Sequence, residues 1–194
     1  MEKTAIRFCE GRINEYAASS YISEFLNTMS SIVIQVIGMQ GRKSEASTFL
    51  VFNGIGSMFF HATFFEWAKF LDEMTMMWCL CIVIHYLRSP IAVVFLMWSN
   101  VLLINYLDWT GYAFRFLFGI TFIYMLHIVY EQRRYLSTKV LIQSSLLMSM
   151  GIGFWITDEL FCSSFYFFHS LWHICMALGA KLLIDEVYKH YHLV

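Results

Sequence analysis

Residues 54–73 read GIGSMFFHATFFEWAKFLDE. Most of this run is apolar, yet it carries Ser57, His61, Asp72 and Glu73. Ser57 and His61 are four apart, so a helix puts them on one face. FHSLWH, far along the chain, supplies a second pair at that spacing, His169 and His173. Three imidazoles and a water are the usual ligands of a catalytic zinc ion. Ionisable side chains are costly inside an apolar helix, which makes them candidates for chemistry. Asp72 is then placed to handle protons, and Ser57 to donate a hydrogen bond. The expectation is a zinc-dependent hydrolase within a membrane, provided these residues meet.

The rest of the composition agrees with a membrane. Of 194 residues, 59% are hydrophobic and 14% charged, against roughly 25% charged in soluble domains. Pro90 is the single proline. In lipid the backbone must satisfy its own hydrogen bonds, so an all-α membrane protein forming one domain over 1–194 follows. A net charge of −1 and no basic run beyond Arg133-Arg134 give no support to a nucleic-acid partner. Met1 to Glu24 lacks the apolar core of a cleavable signal peptide, so the first hydrophobic segment is expected to direct insertion.

Seven apolar segments are expected to cross the membrane: 25–41, 46–65, 74–87, 91–107, 113–130, 140–157 and 161–180. Residues 46–65 contain no Asp, Glu, Lys or Arg, over about the length a bilayer-spanning helix needs. Glu66 to Glu73 reads as a short polar joint. Arg88-Ser89-Pro90 and Asp108-Trp109-Thr110-Gly111 read as turns. Asp158-Glu159 opens another joint and is suited to cap the last helix, and Lys181 to Val194 is a polar tail. Seven crossings put the termini on opposite sides. Lys and Arg number eight on the carboxyl-terminal face and five on the other, so that terminus is expected in the cytosol and the amino terminus in the lumen or outside the cell. Glu24, Ser57, His61, Asp72, His169 and His173 then all fall toward the amino-terminal face. At a helical rise of about 1.5 Å per residue, His61 and His173 lie roughly 8 and 12 Å in, close enough in depth to share a site. His85 and His127 have no partner at helical spacing and read as hydrogen-bonded helix residues. Cys79, Cys81 and Cys175 read as buried thiols.

These pieces resemble the alkaline ceramidase family, seven-helix membrane hydrolases related to the adiponectin and progestin receptors. The resemblance rests on FCE around Cys9, YISEFLNTMS from Tyr21, GIGSMFFHATFFEWAKFLDEM from Gly54, FWITDELFC from Phe154 and HSLWHICMALGAKLL from His169. It implies zinc held by His61, His169 and His173, with Ser57 and Asp72 beside it. It implies hydrolysis of a membrane lipid, ceramide, to a sphingoid base and a fatty acid, in the endoplasmic reticulum or Golgi membrane. A lipid esterase or phospholipase, and a receptor with structural zinc, are the alternatives within the wider group. The resemblance also implies a Cys9–Cys162 disulfide, which a lumenal face permits. Family members bind calcium through an amino-terminal Asp-Trp-Cys-Glu-x-Asn-Tyr motif and a glutamate opening the first helix. Glu24 matches that glutamate, but Arg7-Phe8 replaces Asp-Trp, and three residues separate Glu10 from Asn14. Hard cations want several oxygen ligands, so Arg7 argues against calcium. Glu10, Asn14, Glu15 and Glu24 remain as the donors of a modified site.

Overall fold

A chain this apolar must pair its peptide groups internally, and helices do so locally. The computed structural model describes residues 2–15, 17–87, 112–162 and 166–191. Among them stand a short helix, α1 (Cys9–Asn14), and six long ones: α2 (Phe25–Gln40), α3 (Glu45–Thr63), α4 (Glu66–Leu87), α5 (Tyr112–Glu131), α6 (Thr138–Leu160) and α7 (Phe168–Tyr191). An isolated antiparallel bridge joins Lys3 to Phe65. Three helices, Glu66–Leu87, Phe114–Glu131 and Thr138–Leu160, are long and apolar enough to cross a membrane. Six of the seven expected segments are helical. The fourth, 91–107, and the turns expected at Arg88-Ser89-Pro90 and Asp108 to Gly111 lie outside the described residues.

The expected polar joint at Glu66 to Glu73 is instead the first two turns of α4. The chain reverses earlier, at Phe64, whose left-handed backbone (φ 57°) ends α3. The acids of the joint are accommodated on the helix: Lys69 lies 3.7 Å from Glu73 one turn on, and Asp72 meets Asn53 of α3. The expected tail is likewise helical, because α7 runs through to Tyr191. Lys181 and Asp185 pair at 2.8 Å along it, a spacing at which opposite charges support a helix. Asp158 and Glu159 belong to the last turn of α6, and α7 begins at Phe168, later than the 161–180 segment supposed.

Apolar and polar burial separate along the bundle. Val83, Ile84, Phe122, Met125, Ile128, Met148, Leu183 and Ile184 form one core cluster. It occupies the carboxyl-terminal halves of α4 and α7, with α5 and the start of α6. The buried polar side chains Glu24, Asn27, Ser57, His61, Asp72, His169 and His173 gather toward the other end. Outward faces of α5 and α6 remain apolar: Phe116 and Ile123 are 69% and 67% exposed, and Leu146 is 60%. Such faces suit lipid contact.

Two glycines set how closely α3 approaches its neighbours. A Cβ on Gly54 would come within 2.7 Å of the Gln35 backbone nitrogen and 2.8 Å of the Ser31 carbonyl on α2. A Cβ on Gly56 would come within 2.8 Å of the Asp72 nitrogen on α4. Small residues at these points let backbones nearly touch. We expect Gly56→Ala to cost about 1–3 kcal/mol, the usual penalty for overpacking. Gly119→Ala, whose Cβ meets nothing within 4 Å, should gain up to about 1 kcal/mol from helix propensity. Thermal unfolding in detergent compares the two.

Candidate metal centre

α3 carries Ser57 and His61, α4 carries Asp72, and α7 carries His169 and His173. One ligand atom from each histidine lies within 4.8 Å of the other two, and all three residues are buried. Ring centroids are 5.1 Å apart for His61–His169, 5.0 Å for His61–His173 and 4.7 Å for His169–His173. His61 Nε2 and both ring nitrogens of His169 are buried without a hydrogen-bond partner. A buried polar atom left unpaired costs roughly 1–3 kcal/mol, so His61 Nε2 and one nitrogen of His169, within a cluster where each histidine offers one ligand atom, fit a metal ion that takes their lone pairs. Among the described residues this is the one cluster of three or more His, Cys, Asp or Glu suited to a metal.

Outer contacts orient the rings. His61 Nδ1 lies 2.5 Å from Glu24 Oε2. An ionised carboxylate can only accept, so Nδ1 carries the proton and Nε2 faces the other histidines with a lone pair. His173 Nδ1 is 2.7 Å from Ser30 Oγ, and His169 Nδ1 is 4.0 Å from Asp158 Oδ2. Ser57 is hydrogen-bonded to Asp72 and accepts from Ser31 Oγ at 3.0 Å. Asn53 Nδ2 donates to Asp72 Oδ1 at 2.9 Å. A cavity of about 270 Å³ borders the cluster, lined by Phe8, Phe60, Asp72, Phe118, Trp155, His169 and Trp172. A second, about 70 Å³, runs from Ser57, Asp72 and His173 down to Leu50, Met148 and Ala180. The arrangement is a buried histidine cluster that could hold a metal ion, with a hydrogen-bonded Ser–Asp pair beside it, bordering apolar space.

A family model described as Ceramidase matches residues 2–190, nearly the whole chain. The chain belongs to the ceramidase family. It is 25% identical to human alkaline ceramidase 1 over 213 aligned residues, covering 91% of this chain and 79% of that protein. It is 24% identical to the alkaline ceramidase of Drosophila melanogaster, covering 92% of this chain and 74% of that one. An alignment covering 45% of this chain is 35% identical to the alkaline ceramidase of Arabidopsis thaliana and covers 37% of that protein.

In this ceramidase-family chain the amino-terminal segment lies over the histidines. Phe8 stacks on His169 with ring centroids 3.7 Å apart. The expected Cys9–Cys162 disulfide is present, with Cα atoms 5.1 Å apart. It ties α1 to the end of α6. Arg12 and Arg115 both meet Glu159, at 3.1 and 2.9 Å. Among the described residues, Glu10, Glu15 and Glu24 do not form a metal-suited cluster. Glu10 accepts from the Leu26 and Asn27 amides, Glu15 lies 3.8 Å from Arg7, and Glu24 holds His61. The Asn14 side chain lies outside the described residues. Asp158 accepts from the Cys9 amide at 3.2 Å and from the His169 amide, so it does serve the start of α7, as its position before that helix implied.

Sequence reasoning missed Ser30, Ser31, Asn53 and the Glu24–His61 contact. Asn53 had a signal, since it lies one turn before Ser57 in an apolar run. Ser30 and Ser31 had none, because serines are common on membrane helices. We expect His169→Ala to lose bound divalent metal, and Ser30→Ala to keep it with roughly 10- to 100-fold weaker affinity. Elemental analysis and competition against a metal-binding dye read both.

Proposed function

We propose that this chain is an intramembrane amidohydrolase that cleaves ceramide to a sphingoid base and a free fatty acid, using zinc held by His61, His169 and His173. The observation that carries this reading is the convergence of three buried histidines, two of them with unpartnered ring nitrogens. That cluster adjoins a Ser57–Asp72 pair and apolar cavities, in a chain of the ceramidase family. Three neutral nitrogen donors with one open position are the ligand set of a catalytic zinc site. Zinc bound there would polarise the amide carbonyl and acidify a water at neutral pH.

The protein's own groups supply the rest. Asp72, held by Asn53 and Ser57, takes the proton from water and passes it to the leaving nitrogen as the C–N bond breaks. The Ser57 hydroxyl turns to donate to the oxyanion that develops on the carbonyl oxygen. Phe118, Met76 and Trp172 border both cavities and give the hydrocarbon chains an apolar surface. A substrate that never leaves the bilayer reaches such a site laterally. We propose seven crossings with a lumenal amino terminus. Endoplasmic reticulum or Golgi membrane is the proposed compartment.

Purified protein given ceramide should release sphingoid base and fatty acid in equal amounts, and lose both activities when zinc is removed. Asp72→Asn should lower the rate by about 10²- to 10⁴-fold, and Ser57→Ala by about 10²- to 10³-fold. Turnover of ester lipids without turnover of ceramide would overturn the amide assignment.

A further inference from the structure

The first turns of α1 and α2 cap each other. Glu10, in the first turn of α1, accepts from the backbone amides of Leu26 at 2.7 Å and Asn27 at 2.9 Å, in the first turn of α2. Glu24, the residue before α2, accepts through Oε1 from the amides of Phe8 at 3.1 Å and Gly11 at 3.0 Å, around the start of α1. Each carboxylate thus satisfies donors that the other helix leaves without partners. Each also sits where a helix end is partially positive. Both acids are buried, Glu24 completely and Glu10 to 4% exposure. Burial raises the Glu10 pKa, and its two amide bonds oppose that rise.

Two sequence features make this arrangement possible. Gly11 has no Cβ, and one placed there would collide with the Glu24 carboxylate. Arg7 stands over the Phe64 ring at 3.8 Å and donates to the Thr4 and Ile6 carbonyls, so a positive charge is already built into the segment. Calcium takes six to eight oxygen ligands. The donors expected of it are committed elsewhere: both Glu10 oxygens to amides, and Glu15 to Arg7. Glu24 has four contacts of its own. The residues present therefore do not fit calcium.

We propose that this reciprocal pair of carboxylate caps holds the amino-terminal segment in place of a bound cation, and that Glu24 is a positioning residue for His61. Its Oε1 is fixed by Phe8 and Gly11, while Oε2 meets His61 Nδ1 and accepts from Asn27 Nδ2 at 3.1 Å. The Glu24 amide also donates to the His61 carbonyl at 3.0 Å. The docked segment thereby sets the plane of the carboxylate, and the carboxylate sets the ring. The capping half is independent of what the site hydrolyses. The positioning half rests on the three histidines holding metal.

The test uses the full-length protein in detergent, without substrate. After treatment with EGTA, added calcium should leave the thermal midpoint unchanged and release no heat of binding. A saturable rise in the midpoint would overturn the cation-free clasp. In Glu24→Gln the amide oxygen can still accept from Phe8 and Gly11, but an NH₂ group replaces the acceptor facing His61. The variant should still fold, with a lower midpoint, and its zinc affinity, read by dye competition, should fall roughly 10- to 100-fold. Unchanged zinc affinity in this variant would overturn the positioning role. Gly11→Ala should lower the midpoint and weaken zinc together, and the wild-type calcium titration stands whether or not that variant folds. Because no readout involves ceramide, failure of the clasp is distinguishable from failure of the hydrolase reading.

Discussion

The site depends on how closely α3 lies against two other helices at once. Ser57 reaches Ser31 on one side and Asp72 on the other because Gly54 and Gly56 remove the side chains that would hold those backbones apart. The same contact brings Asn53 to Asp72. One turn further along α3, His61 meets α7 and the residue that opens α2. A membrane helix gains little from burying apolar surface, since lipid is equally apolar. Close backbone contact and hydrogen bonds between helices therefore carry more of the packing here than at the apolar end of the bundle.

Polar groups at this end are paired with care. Glu24, Glu10 and Asp158 are buried acids, and each accepts from peptide N–H groups of a neighbouring element. Such donors stabilise charge without needing a counter-ion to enter the membrane. His61 Nε2 and both ring nitrogens of His169 are among the buried atoms left without a hydrogen bond. A buried network in which most members are satisfied and one cluster is not marks where a ligand belongs.

Much of this was legible in the sequence, for definite reasons. His61, His169 and His173 stood out because imidazoles at helical spacing are rare in apolar runs, and the structure brings them together. The helices were legible as apolar stretches, but their ends were not. Charges at Lys69, Asp72 and Glu73 looked like a break, but Lys69 pairs with Glu73 and Asp72 meets Asn53. Hydropathy records the cost of a charge without recording whether a partner lies one turn away. The departure at Arg7-Phe8 was visible as a loss of calcium donors. Its structural answer was not, because peptide N–H groups are present at nearly every position and leave no trace in composition.

The Cys9–Cys162 bond spans 153 positions of sequence. A ribosome delivers the first cysteine early and the second only after α6 has been made. Through all of that interval the amino-terminal segment has no covalent hold on its final place. The cover over the histidines can therefore be locked only near the end of synthesis. Until then the histidines of a nascent chain have no tethered cover, so formation of this one bond becomes part of how the site is completed.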